Sequence, residues 1–319
     1  MTPPCNRIQP RATGAGLIAI LLWSTTFALA RSLTETLGPF TSAAAVYVVA
    51  AALLLPSTFR QWRTPIPDAC LPKQYLLGCG GLFVAYTTLL YLAIGACSTR
   101  QQLLEIALVN YLWPVLTILL SVLLLRLKAS PCLWPALVLA LAGLPLVVGQ
   151  DSSFSLIAFQ GNLQDNPLSY GLAGTAALSW AAYSVLTRKW APQASSGAVG
   201  LFILATATLL VPLAWASNES PQWTSRAILE VLIQGAITAS AYALWDHAMR
   251  LGNLTLVTSA SYLTPLLSTA ISCYYLDVTP SKALLYGAAS LVTGSLLSYL
   301  SVRDTPYRNP DKGPAPSDN

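Results

Sequence analysis

Residues 74–99 read QYLLGCGGLFVAYTTLLYLAIGACST, a run of 26 residues without one Asp, Glu, Lys or Arg. A helix needs about 20 apolar residues to cross the hydrocarbon core of a bilayer, and this run exceeds that length. Comparable charge-free windows lie at residues 12–30, 36–59, 106–125, 129–150, 166–187, 190–218, 251–276 and 283–302. The window at 106–125 extends back to about Gln102 and takes in Glu105, and a further span at 227–245 is interrupted only by Glu230. In hydrocarbon every backbone amide must be paired internally, which leaves helices or closed barrels. Barrel strands alternate in polarity, whereas these runs are apolar all round. The expected fold is therefore an all-α integral membrane protein with ten transmembrane helices.

Composition excludes most alternatives. Of 319 residues, 55% are hydrophobic and 9% charged, against about 25% charged in an ordinary soluble domain. One His and two Met argue against a metalloprotein, and neither a metal nor another cofactor is expected. The six Cys (Cys5, Cys70, Cys79, Cys97, Cys132, Cys273) show no paired spacing and read as small hydrophobes. Residues 12–30 outrun a signal-peptide core and precede nine more spans, so they read as a permanent helix.

Basic residues fall unevenly between alternate loops, which sets orientation. One face receives Arg7, Arg11, Arg60, Arg63, Lys73, Arg126, Lys128, Arg188, Lys189, Arg250, Arg303, Arg308 and Lys312, that is 13 of 17. The other receives Arg31, Arg100, Arg226 and Lys282. The basic face is expected to be cytoplasmic, with both termini on it. The net charge of +5 is then an orientation signal and calls for no nucleic-acid partner; the partners expected are the lipid bilayer and a small-molecule cargo.

The chain reads as a duplication. At an offset of 157, Trp23, Leu29 and Arg31 meet Trp180, Leu186 and Arg188. At 151, Leu103, Tyr111, Leu112, Pro114, Ser121 and Leu125 meet Leu254, Tyr262, Leu263, Pro265, Ser272 and Leu276, and Gly143 meets Gly294. The expected organisation is a first five-helix repeat over 12–150, a second over 166–302, and a polar tail at 303–319. Five is odd, so the second repeat crosses in the opposite sense. Inverted repeats of this kind are common in transporters, where one half rocks against the other around a midplane site.

Leu21-Leu22-Trp23-Ser24 in the first span, the in-span prolines Pro114 and Pro265, and the short turns after those spans resemble the drug/metabolite transporter superfamily with two EamA-type halves. The run TRQQLLEIALVNYLWP at 99–114 is similar to that of aromatic amino acid exporters within it. The resemblance implies a bacterial inner-membrane exporter that carries Phe, Tyr, Trp and related neutral amino acids through a central cavity. One departure stands out. Where the superfamily often has a Glu-Arg pair, this chain reads Arg126-Leu127-Lys128 and Asp277-Val278-Thr279, so no role for that pair carries over.

Among candidate site residues, Pro114 and Pro265 come first. A proline inside a helix removes a backbone bond and clashes with the preceding turn, giving a hinge or a static kink. Their occurrence at equivalent places favours gating, while Pro145 and Pro212 read as kinks. Asn110 and Trp113, three residues apart, share a helix face on which an amide and an indole would meet an amino acid; interhelical packing is the plainer alternative. Tyr111 lies about 200° from Trp113 on an ideal helix and faces the cargo only if Pro114 disturbs the geometry. Trp180, Tyr183, Ser184 and Thr187 form one stripe, matched by Trp23, Thr26, Phe27 and Ala30; Thr238, Tyr242 and Trp245 form another. Tyr86 and Tyr91 do not share a face. Central aromatics such as Trp180 and Tyr86 suit a cavity for flat side chains, though packing explains any single one, and an aromatic cage also holds cations.

Charged groups within spans are usually functional, but none here is central. Glu105 and Glu230 stand as proton-coupling candidates, with local pairing to Arg100 and Arg226 as the alternative. His247 is a third candidate because it titrates near neutrality, with exposure of Asp246 and His247 at the interface as its alternative. The run Gly78-Cys79-Gly80-Gly81 lacks a following GK[ST] and reads as close helix packing. Residues 150–166 form the longest loop expected.

The function expected is secondary transport by alternating access, with no catalytic residue. Carriers of other metabolites or drugs are the same-class rival; nucleotide sugars would demand a cation in mid-span, and there is none. An intramembrane enzyme is the different-class rival, but the sequence holds no G-x-S-x-G or H-E-x-x-H.

Overall fold

The computed structural model describes residues 8–63, 71–148, 156–191, 197–275 and 282–303. The predicted helices form. α1 spans Pro10–Leu37 and α2 spans Pro39–Arg63. A π-helical turn, Gln74–Cys79, runs into α3 at Gly80–Gly95. The fourth span is two helices, α4 at Arg100–Asn110 and α5 at Trp113–Leu124. α6 spans Leu133–Val148, α8 Pro167–Trp190, α9 Val199–Ala216 and α10 Ser225–Leu251. The ninth span is again divided, into α11 at Leu254–Ala260 and α12 at Leu263–Tyr275, and α13 covers Lys282–Ser301. Six of these segments are by themselves long and apolar enough to cross a membrane. α8 is long enough too, and its Ser169, Ser179, Ser184, Thr187 and Arg188 are all buried, so its polar side chains lie within the bundle. The outward surface carries Leu77, Val138, Ile157 and Trp215 at 66–86% exposure. A soluble monomer rarely exposes apolar patches of that extent, whereas lipid solvates them.

Two expectations change. The segment expected as a loop at 150–166 holds a further short helix, α7, at Leu156–Asp165. Pro114 and Pro265 do not sit inside continuous helices either, whereas Pro145 and Pro212 do. Pro114 is the second residue of α5 and Pro265 the third of α12. At the first break Leu112 donates to the Val109 carbonyl three residues back, and at the second Tyr262 donates to Ser259 and Thr264 to Ser261. The chain tightens by one turn and restarts because a proline cannot donate and its ring excludes the carbonyl four residues earlier. Asn110 and Trp113 consequently stand on different helices, which removes the shared face expected of them.

The packing has a twofold pattern. α1 packs on α10 as α3 packs on α8; α2 packs on α9, and α6 on α13. Exchanging the first five spans for the second five maps this set of contacts onto itself, as an inverted repeat requires. Trp23 and Trp180, equivalent in sequence, meet with ring centroids 5.8 Å apart. The α6–α13 seam is built on small residues. A Cβ on Gly143 would lie 2.8 Å from the Gly287 carbonyl oxygen, and one on Gly294 would lie 2.5 Å from the Ala140 nitrogen. Between helices in lipid no hydrophobic driving force acts, so close backbone approach and dispersion carry the association. Gly78 and Gly80 serve the same purpose, seating Trp190 and Phe202. The described cysteines, Cys79, Cys97 and Cys132, are free.

The ends are tied by short polar devices. Glu219 accepts from the backbone amides of Phe40 and Thr41 at 2.9 and 2.8 Å, capping α2 from the α9–α10 connection. The turn between α1 and α2 requires Gly38, whose φ is +87°, and a Cβ there would strike the Glu219 carboxyl carbon at 2.3 Å. At the basic end, strands β1 (Lys128–Ala129) and β2 (Val302–Arg303) pair antiparallel.

A central aromatic cavity and its seal

A cavity of about 200 Å³ lies between α1, α2, α3 and α10. Trp23, Tyr47, Tyr86, Tyr91 and Tyr242 supply its aromatic wall, and Thr26, Thr34, Ser42, Thr87, Gln234 and Thr238 its polar groups. Along α1 it is lined from Trp23 to Thr34, about 16 Å of helix at 1.5 Å per residue. It therefore runs from mid-bundle toward the end where α1 passes into α2, away from the basic end. The Tyr47 hydroxyl bonds to those of Tyr242 and Thr87 at 2.8 and 3.1 Å, which fixes three lining side chains together.

Beneath the cavity the aromatics close ranks. Trp180, 2% exposed, has ring centroids of Tyr86 at 4.8 Å, Tyr183 at 5.1 Å, Tyr242 at 5.5 Å and Trp113 at 6.3 Å. Trp245 packs on Trp23 at 5.1 Å and Trp113 at 5.4 Å, and its indole N–H donates to the Ser184 hydroxyl at 3.2 Å. Buried aromatic pairs contribute about 0.5–1.5 kcal/mol each beyond their area, so this plug is a rigid floor.

Toward the basic end the floor is backed by a buried polar cluster. Asp246, 1% exposed, accepts from Arg250 Nε at 2.8 Å, from the Tyr75 hydroxyl at 2.8 Å and from the Tyr183 hydroxyl at 3.2 Å. The Ala198 amide in turn donates to the Tyr75 oxygen at 3.1 Å. One carboxylate thus joins α10, the π-helical turn, α8 and the entry to α9. Arg188 donates to the Met249 and Gly252 carbonyls, a cation at the carbonyl end of α10 where the helix dipole favours it. This corrects the expectation of an interfacially exposed Asp246. Its neighbour His247 is half-buried.

The structure sorts the expected site residues. Trp23, Tyr86 and Tyr242 line the cavity. Trp113, Trp180 and Tyr183 form the plug below it. Asn110 and Tyr111 are half-buried outside the lining. Tyr91 lines the cavity together with Tyr86, although the two do not share a helix face. Glu105 is fully buried and accepts from Gln101 Nε2 at 2.9 Å, from Asn162 Nδ2 at 3.1 and 3.2 Å, and from the Tyr170 hydroxyl. The Arg100 side chain lies outside the described residues. Glu230 pairs with Arg226 at 2.8 Å, as the local alternative has it, and also accepts from Ser32 at 2.7 Å. Sequence reasoning missed Tyr47, Tyr75 and Gln234. The last had a signal: a carboxamide in mid-span, one turn after Glu230. Among the described residues no cluster of His, Cys, Asp or Glu is arranged to hold a metal.

An aromatic cavity between helices of the two sequence halves, backed toward the basic end by packed aromatics and a buried polar cluster, suits a carrier, and the comparisons agree. The sequence pattern of the EamA-like transporter family matches residues 12–149 and 168–300. The "Aromatic amino acid exporter YddG" of Escherichia coli (strain K12) is 37% identical over 297 residues, covering 92% of this chain and 99% of that protein. The protein of the same name from Salmonella typhimurium (strain 14028s / SGSC 2262) is 35% identical, with 92% and 98% covered. That of Ancylobacter novellus is 30% identical, with 92% and 98% covered. A crystal structure 29% identical in sequence superposes with a TM-score of 0.74, covering 92% of this chain and 97% of the other. The apolar helices of the described residues, a central cavity and this likeness along nearly the whole length make the chain a multi-pass membrane protein that belongs to the EamA-like transporter family.

Proposed function

We propose that this protein is a secondary exporter of aromatic and related neutral amino acids, working by alternating access, and that it is not an enzyme. The observation that carries the reading is the cavity of about 200 Å³ walled by Trp23, Tyr47, Tyr86, Tyr91 and Tyr242. An apolar cavity of about 150 Å³ holds a benzene-sized molecule, so this space suits a ring with a short polar end. The names of the relatives support the same cargo. Trp180 and Trp113 would form the floor that must part for release, and the breaks before Pro114 and Pro265 would be the pivots. The asymmetry of basic residues supports a cytoplasmic basic face in a bacterial inner membrane, so that the cavity extends toward the outer face.

Counterflow in proteoliposomes tests the reading. Vesicles loaded with unlabelled Phe and given trace labelled Phe or Trp outside, without a pH gradient, should accumulate label transiently, and Trp180→Ala or Trp113→Ala should abolish the overshoot. No accumulation by folded protein, with or without an imposed pH gradient, rejects aromatic amino acids as cargo. Accumulation only with the gradient makes proton coupling obligatory and turns attention to Glu105, Glu230 and His247.

A further inference from the structure

We infer that the cavity recognises its cargo by the ammonium group, with Gln234 as the anchoring acceptor, and that aromatic amines without a carboxylate bind in the same place. The inference rests on the cavity being the cargo site proposed above, and it adds which end of the cargo is read.

Gln234 lines the cavity, is 9% exposed, and its side-chain oxygen has no hydrogen-bond partner. A buried amide oxygen left without a donor is costly, and the terminal torsion of a Gln side chain is soft enough to turn it toward an incoming donor. Three of the hydroxyls around it, those of Thr26, Thr34 and Ser42, add acceptors. Thr26 donates to the Trp23 carbonyl at 2.8 Å, Thr34 to Ala30 at 2.8 Å and Ser42 to Pro39 at 3.1 Å. Each has spent its hydrogen on its own helix and presents lone pairs. No Lys, Arg or His is among the lining residues. An ammonium brings three donors to this acceptor-rich wall, and the faces of Trp23 and the surrounding tyrosines attract a cation. A carboxylate meets no cation, only the neutral donors of Trp23, Gln234 and the lining hydroxyls, and ring faces of negative potential. The ammonium therefore supplies the discrimination, and the carboxylate is tolerated.

The purified full-length chain in detergent provides the test, read as the shift of its melting midpoint with ligand concentration. Phe and phenethylamine should both stabilise it. Phenylpyruvate, which lacks the ammonium, and N-acetylphenylalanine, in which the amine is neutral, should bind about tenfold to a hundredfold more weakly, as expected when an ionic hydrogen bond is lost. Gln234→Leu should erase that preference. Gln234→Glu, which keeps the shape and adds charge, should strengthen phenethylamine relative to Phe. Equal stabilisation by phenylpyruvate and phenethylamine overturns the inference, as does an unchanged amine preference in folded Gln234→Glu. If phenethylamine binds through Gln234 while Phe neither binds nor exchanges in vesicles, the amino acid reading fails and the ammonium site stands.

Discussion

Replacing Asp246 by Asn should open the basic end. In the wild-type chain this carboxylate is 1% exposed and receives Arg250, Tyr75 and Tyr183, while Arg250 is itself only 3% exposed. Neutralising one member of a buried pair removes its attraction for the other, at a cost of about 3–5 kcal/mol. The sealed state bears that cost. A state with the basic end open relieves it, because Arg250 then meets water. The equilibrium should move toward the open state by about 3 kcal/mol, a little over a hundredfold at 1.36 kcal/mol per decade. Cys79 is a native reporter: it is fully buried, ends the π-helical turn that carries Tyr75, and is free. With the other cysteines replaced, maleimide labelling of Cys79 in membrane vesicles should quicken about a hundredfold in Asp246→Asn, since labelling follows the open population. Asp246→Asn/Arg250→Gln removes both charges and should return the rate most of the way. Unchanged labelling in folded Asp246→Asn, or an equal rise in the double variant, refutes the assignment of this cluster as the seal.

Other outcomes follow from single contacts. Gly143→Val puts a side chain where a Cβ already lies 2.8 Å from the Gly287 oxygen; the overpacked seam should lose about 1–3 kcal/mol, visible as a lower melting midpoint. Gly38→Ala forces an L side chain to φ +87° against Glu219, and should cost about 1–3 kcal/mol by thermal denaturation, more than Glu219→Ala with its two lost amide bonds. Glu105→Gln places an amide hydrogen among the donors of Gln101, Asn162 and Tyr170; the melting midpoint should fall while Phe counterflow without a pH gradient persists in the folded fraction. Tyr47→Phe releases Tyr242 and Thr87 from one another and should weaken Phe binding several-fold in the melting assay without altering Cys79 labelling.

Much of the fold was legible in the chain because lipid imposes it. A segment in hydrocarbon must be a helix or part of a closed barrel, and runs apolar on every side exclude the barrel, so counting charge-free windows placed the described helical spans, and the loop charges separated two faces. The repeat was legible through residues whose backbone effect is local: Pro114 and Pro265 mark the breaks at 111–112 and 261–262 whatever packs around them. Gly143 and Gly294 were legible as equivalents, and the structure shows both on one seam.

The tertiary structure alone decided which aromatic does what. A soluble helix advertises its buried face by polarity, but a membrane helix is apolar on every side, so Trp23, Trp113 and Trp180 look alike in sequence. Helix crossings made the first a cavity wall and the other two a floor. The same holds for charge. Asp246 near a helix end reads as interfacial until Tyr75 arrives from the third span and Tyr183 from the sixth, partners 171 and 63 residues away. The closure of the basic end rests on those long-range contacts, because only helix packing brings side chains so far apart in sequence onto one carboxylate.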